Sequence, residues 1–307
     1  KFFLMKNKLT IGTRSSKLAL YQSNLVKTRL EELYPEITFE LLNIKTKGDI
    51  MIDKVLDRNI DKGFFVSEIQ NMLVKNEIDI AVHSLKDLPV EENNDIKISA
   101  ILKRGNEKDV FISKNKKKLS DFVISEKIGT SSLRRKAQLY KRNPNLNVVD
   151  IRGNVDTRIS KMIDGQYEGL VMAAAGIERL GLDSYITEYL DHKIMLNAPG
   201  QGAIAIEINK DNKYAETITS EINDKETMNC TQYERSFMKK LGGGCNSPIG
   251  AYSYYSNGEK TIIGTILSLD GKQDISSTIS VKSSNKSNIG ELLANKLIKK
   301  GALELIN

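Results

Sequence analysis

Strand-like and helix-like segments alternate along most of the 307-residue chain, and this alternation limits the possible folds more than any other feature. A strand, a helix and another strand in succession are typical of parallel sheets. We therefore predict a mainly parallel α/β structure. The predicted strands are 9–12, 37–44, 78–82, 127–129, 148–151 and 170–173.

Helical periodicity supports this fold class. The first helix is predicted from about Ser16 to Leu33, where Pro35 stops it, and a second lies near 65–75. The apolar side of the first helix is predicted to be Leu18, Tyr21, Leu25, Leu30 and Leu33.

The pattern changes after residue 210. A helix around 231–241 is followed by a predicted strand meander and a final helix, which indicates a separate α+β domain. The meander strands are 252–255, 261–269 and 275–281, and the helix is 289–300.

Composition excludes several classes of protein. The chain is 40% hydrophobic, enough to form the cores of two or three domains, but no apolar run approaches the roughly 20 residues of a membrane span. The first residues, KFFLMKNK, are too short for a signal peptide. The two cysteines form no disulfide framework and no zinc spacing with the histidines. We expect a cytoplasmic protein without a metal.

The net charge of +7 indicates a polyanionic partner, either nucleic acid or a small molecule. The chain has no tryptophan and no interleaving of aromatic and basic residues, so nucleic acid is the weaker interpretation. No GxxxxGK[ST] motif is present, and GQG at 200–202 lacks the remaining glycine of a dinucleotide fingerprint.

Polar residues follow four predicted strands, at the edge where parallel sheets bind ligands. Arginine favours carboxylates or phosphates, so the expected ligand carries several separate negative charges. For any single arginine, a surface ion pair remains the alternative. The residues are Arg14 and Ser16; His83, Ser84, Lys86 and Asp87; Thr130, Ser131, Ser132, Arg134 and Arg135; and Arg152 and Arg158.

Four of these residues can be interpreted further. Arg134 and Arg135 lie at a helix start, where the positive end of the helix dipole repels them. Each should destabilise the helix by about 0.3–1 kcal/mol unless an anion lies beside them. Asp87 is a carboxylate among cations, and it either forms a salt bridge or serves as a proton donor and stabiliser of positive charge. His83 is interpreted as a hydrogen-bonded structural residue.

The loop LGGGCNSPIG at 241–250 contains one of the two cysteines. Its three glycines leave room for another group to approach the backbone, so the sulfur of Cys245 is either reachable or simply a small residue in a tight loop.

Seven motifs in order resemble the porphobilinogen deaminase family. Lys17 departs from its pattern where proline is frequent, and Lys47 stands where arginine is common, which weakens bidentate binding there. The motifs are IGTRSSKLALYQ (11–22), DIAVHSLKDLP (79–89), IGTSSLRRKAQL (128–139), IRGNVDTRISK (151–161), AAAGIERLG (173–181), APGQGAIAIE (198–207) and GGGCNSPIG (242–250).

The resemblance implies three domains. The first comprises 1–102 and 200–224 and carries the catalytic aspartate, and the second comprises 103–199 and carries an arginine-rich face. These two resemble a type II periplasmic binding protein with a hinged cleft. The third, 225–307, is a small α+β domain that carries the cofactor cysteine. The segment Thr46–Gly63 is expected to be a mobile flap.

The resemblance also implies a reaction. Four porphobilinogen molecules condense, with loss of ammonia, on a dipyrromethane cofactor held by a thioether to Cys245, and hydrolysis releases hydroxymethylbilane. Asp87 is the expected catalytic residue, stabilising the azafulvene and moving protons. Further cofactor-binding residues are Lys86, Ser84, Thr130, Ser131, Ser132, Arg134, Arg135, Arg158 and Gly153; substrate-binding residues are Arg14, Ser16, Gln22, Lys62, Phe65, Arg152, Arg179 and Gln201.

The expected enzyme is a monomer that binds neither nucleic acid nor membrane. Two alternatives stay open: a non-enzymatic binding protein for a polycarboxylate, which would need neither Cys245 nor a third domain, and a nucleic-acid binder, which would show steep salt dependence.

Overall fold

The computed structural model describes residues 7–44, 66–91, 93–244 and 247–305. Within these ranges the strands are β1 Lys8–Arg14, β2 Thr38–Ile44, β3 Ile80–Ser84, β4 Ile96–Ile101, β5 Asp109–Ser113, β6 Lys127–Gly129, β7 Asn147–Val149, β8 Gly169–Ala173, β9 Ile186–Leu190, β10 Ile204–Asn209, β11 Ile249–Ser256, β12 Glu259–Leu267 and β13 Asp274–Lys282. The helices are α1 Lys17–Leu33, α2 Ser67–Val74, α3 Leu133–Arg142, α4 Val155–Ile163, α5 Ala174–Glu178, α6 Lys213–Ser220, α7 Lys225–Lys240 and α8 Ile289–Ile298.

The chain divides into two compact units. The first comprises Lys1–Arg104 and Ala203–Met228, and the second comprises Gly105–Gly202 and Asn229–Asn307. The second unit contains both a five-stranded sheet and the three-stranded sheet of the C-terminal region.

The sheet of the first unit has the order β2-β1-β3-β10-β4. Strands β1, β2 and β3 run parallel, whereas β10 pairs antiparallel with both β3 and β4. Helices α1 and α6 pack against this sheet and share one core with it, which includes Leu9, Val26 and Ile206.

The larger sheet of the second unit repeats the same arrangement, in the order β7-β6-β8-β5-β9. Its first three strands are parallel and β5 is antiparallel to both neighbours. The α/β class and the two similar sheets agree with the binding-protein fold expected for the first two domains.

The C-terminal region forms an antiparallel sheet in the order β11-β12-β13, as the predicted meander requires. Helix α8 packs against it through Leu293. The structure thus contains a small third α+β element, and the α/β fold class is confirmed.

Two helix predictions are corrected by the structure. The buried side of α1 consists of Gln22, Ser23, Val26 and Leu30, whereas Tyr21 and Leu33 are exposed, because polar contacts rather than apolar periodicity determine part of this face. Helix α7 begins at Lys225, six residues earlier than predicted. Asp224 provides the start, because its Oδ1 accepts the Thr227 N–H at 2.8 Å in the manner of a helix N-cap.

Candidate active site

The carboxyl ends of β1 and β3 lie side by side, because these parallel strands are direct neighbours with Gly12 opposite Ala81. Arg14 ends β1 and Ser84 ends β3. Ser16 caps α1, where its Oγ accepts the Ala19 N–H at 3.3 Å. The structure therefore brings Arg14, Ser16 and Ser84 to one end of the first sheet, as predicted.

Gln22 connects helix α1 to the end of β3. Its Nε2 donates to Ser84 Oγ at 2.9 Å, and Ser84 Oγ lies 3.2 Å from Gln22 Oε1. Gln22 is buried, so this amide has little freedom to point elsewhere. The amide of Gln22 thus fixes the Ser84 hydroxyl at the predicted site.

Lys86 and Asp87 lie on a single 3₁₀ turn, Leu85–Asp87, directly after β3. The turn is fixed at its apolar residues: the Leu85 N–H donates to the Ala203 carbonyl at 3.0 Å, and the Leu88 N–H donates to the Leu85 carbonyl at 3.1 Å. Leu85 and Leu88 are fully buried, whereas Lys86 and Asp87 are partly exposed. Burial of the leucines therefore holds the backbone that carries the predicted catalytic carboxylate.

The loops after β6 and β7 in the second unit are joined by Ser131. Its Oγ donates to the Ile151 carbonyl at 2.7 Å and accepts the Ile151 N–H at 3.0 Å. Thr130 Oγ accepts the Ser132 N–H at 3.3 Å, and Ser132 caps α3. These three predicted ligand hydroxyls lie together, and each also contributes to the conformation of its own loop.

Gly153 provides the turn between β7 and α4. Its φ of +115° favours glycine, and a Cβ there would lie 2.7 Å from Thr157 Cγ2. Arg158 Nε donates to the Gly153 carbonyl at 2.7 Å, and Lys161 Nζ donates to the Arg152 carbonyl at 3.1 Å. Arg152, Gly153 and Arg158 are thus neighbours at the carboxyl end of the second sheet, as the sequence predicted.

Arg134 and Arg135 are buried around the carboxylate of Asp109, which is fully buried at the start of β5. Arg134 Nη1 donates to Asp109 Oδ2 at 2.7 Å, and Arg135 Nη2 donates to Oδ1 at 2.7 Å. The two arginines are 3% and 7% exposed, and they also donate to the carbonyls of Leu196 and Val171. Asp109 is therefore the anion that was expected beside these two arginines, and it belongs to the chain itself.

Gln201 belongs to the same buried cluster. Its Nε2 donates to Asp109 Oδ1 at 3.0 Å and to the Glu107 carbonyl at 2.8 Å. Arg179 contacts Gly202, the residue after Gln201: its Nη2 donates to the Gly202 carbonyl at 2.6 Å. Arg179 is partly exposed, unlike the arginines that contact Asp109.

Two opposing effects act on the pKa of Asp109. Burial raises it, but the guanidinium groups of Arg134 and Arg135 outweigh burial and hold the pKa of this carboxyl well below its usual range. Asp109 was not identified from the sequence. The available signal was an acidic residue that opens the apolar run VFI, since a charge within a buried strand needs cationic partners.

The glycines before Cys245 end helix α7 and shape the loop. Gly242, with φ +67°, donates its N–H to the Lys239 carbonyl at 2.9 Å, and the Gly243 N–H donates to the Met238 carbonyl at 3.1 Å. Gly244 donates to Ser247 Oγ at 3.1 Å, and the Ser247 N–H returns to the Gly244 carbonyl at 3.1 Å. Gly244 and Ser247 are thus bonded to each other.

Some predicted residues lie outside the described residues. They are Cys245, Lys62 and Phe65, together with Lys47 and the predicted flap Thr46–Gly63.

Among residues 7–44, 66–91, 93–244 and 247–305, no group of three or more His, Cys, Asp or Glu side chains could hold a metal ion. No helix in these same ranges has the length and apolar character required to cross a membrane.

Two family models together match most of the chain. One is described as "Porphobilinogen deaminase, dipyromethane cofactor binding domain" and matches residues 9–217; the other is "Porphobilinogen deaminase, C-terminal domain" and matches residues 228–299. Among solved structures, the methionine binding protein MetQ is similar, with a TM-score of 0.45 and 14% identity, over 75% of this chain and 94% of that chain.

Curated relatives match over almost the whole length. The chain is 42% identical to the porphobilinogen deaminase of Desulfitobacterium hafniense, with 96% of each chain covered. It is 41% identical to the protein of that name from Syntrophomonas wolfei and 40% identical to that from Chlorobium phaeobacteroides, with 98% of each chain covered in both cases. The chain therefore belongs to the porphobilinogen deaminase family.

Proposed function

We propose that this chain is a hydroxymethylbilane synthase that condenses four porphobilinogen molecules, releases one ammonia for each, and uses water to release linear hydroxymethylbilane. The observation that carries the proposal is the placement of Asp87 and Lys86 on a fixed turn beside Arg14 and the Gln22–Ser84 pair. One acid–base carboxylate beside cations suits a substrate that carries carboxylates and loses an amine.

Each unit, taken by itself, carries groups of the kind that a dipyrromethane cofactor needs. Each pyrrole of such a group carries an acetate and a propionate, which call for cations and hydroxyl or backbone donors. Lys86 and Ser84 lie at the carboxyl end of the sheet in the first unit, and Arg152 and Arg158 lie at the carboxyl end of the five-stranded sheet in the second. Bound through Cys245, the cofactor would supply the pyrrole carbon that accepts the first substrate ring.

Asp87 is the residue that we propose to handle protons. When the amine of porphobilinogen leaves as ammonia, positive charge develops near the pyrrole nitrogen, and a carboxylate there stabilises it. The same carboxylate can then take the proton that the attacked ring carbon loses on bond formation. Its place on a turn held by two buried leucines limits the motion of its backbone.

Arg134, Arg135 and Gln201 have a different place in this proposal. Their contacts to Asp109 support a positioning role, in which the buried cluster holds the start of α3 and the loop of Ser131 and Ser132. Direct contact of these arginines with ligand carboxylates stays a prediction from the family resemblance.

We further propose that the enzyme acts as a monomer in the cytoplasm on a small-molecule substrate. Two cysteines without a disulfide framework suit a reducing compartment.

Intact mass spectrometry and ammonia release test the function together. The purified chain should carry a covalent excess of two pyrrole units, and porphobilinogen should release ammonia. A polycarboxylate-binding protein would bind porphobilinogen without either result, and a nucleic-acid binder would bind with strong salt dependence. An unmodified chain that releases no ammonia contradicts the proposal.

A further inference from the structure

His83 and Glu207 come from two different motifs of the sequence and meet in the first unit. They lie on the antiparallel neighbours β3 and β10, where His83 pairs with Ala205 and Ala81 pairs with Glu207. Because alternate residues of a strand share a face, both side chains lie on the same face of the sheet. His83 Nε2 is 3.3 Å from Glu207 Oε2, and each residue is 6% exposed.

Gln70 of helix α2 is the third member of this cluster. Its Nε2 lies 3.1 and 3.2 Å from the two carboxylate oxygens of Glu207. The contact of His83 is an ion-pair distance without hydrogen-bond geometry, and its Nε2 makes no hydrogen bond to the described residues. A single buried carboxylate thus contacts β3 and α2 from its position on β10.

His83 and Glu207 are buried, whereas Gln70 is partly exposed, and the segments that carry them also contribute to two apolar clusters. Such a buried polar group gives little net stability, since replacing it with well-packed apolar side chains is often neutral or stabilising. A local rule that is broken without a gain in stability is expected at functional sites. The adjoining buried residues are Ile69, Leu73 and Ala81 in one apolar cluster and Leu85, Leu88 and Ala205 in another.

The cluster is located where it can act on the catalytic turn. His83 directly precedes Ser84, and the turn Leu85–Asp87 follows. The Leu85 N–H donates to the Ala203 carbonyl, which continues the β3–β10 pairing beyond the strand end. The contact of His83 with Glu207 adds a side-chain link between the same two strands.

We propose that Glu207, together with His83 and Gln70, is a positioning residue for the ring-addition reaction, because it fixes the carboxyl end of β3 and thereby the place of Lys86 and Asp87. This role rests on the proposed function. A displacement of about 1 Å at a catalytic group can cost roughly a hundredfold in rate, so a link outside the site suffices to affect turnover.

The test measures kcat and KM per cofactor-loaded molecule for Glu207→Gln and His83→Gln. We expect kcat to fall by about tenfold to a hundredfold, with KM and the adduct mass unchanged. The matched control is Glu216→Gln, which makes the same substitution at a side chain that is 38% exposed and pairs with Lys97 and Lys213. This control should keep the wild-type kcat.

A double variant, His83→Gln with Glu207→Gln, separates positioning from stability. Since both changes break one link, their effects on kcat should not add. A merely structural role predicts a lower melting temperature with kcat per loaded molecule unchanged, and that result would overturn the proposal. If the single variants do not fold, Gln70→Ala, which removes a neutral partner, should still lower kcat severalfold, and an unchanged kcat overturns the proposal equally.

The wild-type enzyme distinguishes this inference from the proposed function. A wild type that releases no ammonia overturns both. An active wild type whose Glu207→Gln, His83→Gln and Gln70→Ala variants keep full kcat overturns the positioning role alone.

Discussion

Two carboxylates, Asp87 and Asp109, show how the surroundings of a residue determine which role it can have. Asp87 is partly exposed on a turn beside Lys86, whereas Asp109 is fully buried between Arg134 and Arg135. A carboxylate enclosed by two guanidinium groups is held ionised and is unsuited to exchanging protons near neutral pH. Of these two, only the partly exposed carboxylate suits acid–base chemistry, so substitutions at Asp87 and at Asp109 should have different effects.

Asp87→Asn should keep the fold and substrate binding but slow ring addition by about 10²–10⁴-fold, the range for loss of a positioned acid–base group. Single-turnover ammonia release from a variant preloaded with cofactor checks this, because preloading separates catalysis from cofactor assembly. A salt-bridge role predicts instead a lower melting temperature with a nearly unchanged rate. A rate within about tenfold of the wild type would remove Asp87 from the mechanism.

Arg134→Leu should destabilise the protein by about 3–5 kcal/mol, because it leaves the buried carboxylate of Asp109 short of a partner. Arg152→Leu is the matched comparison, since Arg152 is partly exposed and its contact with Lys161 is made by its backbone carbonyl, which the substitution keeps. That variant should keep its stability and lose cofactor loading or chain extension. Urea unfolding and adduct mass measure the two effects, and equal stability losses would contradict the distinction.

Asp109→Asn should show a pH-dependent loss of stability. The folded-state pKa of Asp109 lies below the value of about 3.9 expected in the unfolded chain, so its ionisation stabilises the protein fully above that value. The contribution is lost as pH falls from about 4 through the folded-state pKa. The gap in unfolding free energy between wild type and variant should therefore be largest at pH 7 and shrink below about pH 4.

The matched control for that measurement is Asp150→Asn. Asp150 pairs with Lys136 at 2.6 Å, but its side chain is about one-third exposed, so its loss should change stability at pH 7 far less. A gap for Asp109→Asn that stays constant from pH 7 to pH 3 would show that its charge does not stabilise the fold.

At the scale of elements, local signals predicted most of the structure. Ser16 before an apolar run gave the start of α1, and the short apolar runs gave β1, β2 and β3 to within a few residues. The antiparallel strands β5 and β10 were not predicted, because each joins its sheet through pairing with strands distant in sequence. Likewise, the contact of Asp109 with Arg134 joins residues 25 apart, so the sequence around Asp109 does not indicate which cations it contacts.

Gly243→Ala tests the loop that precedes Cys245, the proposed cofactor anchor. A Cβ at Gly243 would clash with Ile249 Cδ1, and Ile249 is buried at the start of β11, so either this side chain or the loop must shift. We expect slower and incomplete cofactor loading, measured as the fraction of adduct by intact mass. Gly244→Ala is the matched control, because a Cβ there meets no atom of the described residues within 4 Å. Equal loading of both variants would contradict the steric argument.

At the scale of the whole molecule, the predicted site residues are distributed over both compact units. Arg14, Lys86 and Asp87 belong to the first, and Arg152 and Arg158 belong to the second. The sequence could identify these residues by the motifs that contain them, but it could not show which are already neutralised within the chain. The structure shows this for Arg134 and Arg135, which are buried against Asp109, whereas Arg14, Lys86, Arg152 and Arg158 are partly exposed.

Cys245→Ser should abolish the covalent cofactor and with it the activity. A group that binds only the native state adds to its stability, and a polycarboxylate also neutralises cations in a chain whose net charge is +7. The variant should therefore have a lower melting temperature than the loaded wild type, and added salt should narrow the difference by screening the unneutralised cations. Cys230→Ser is the matched control. Because Cys230 is buried in α7, this variant should leave the adduct intact. A pyrrole adduct that persists in Cys245→Ser would place the anchor on another residue.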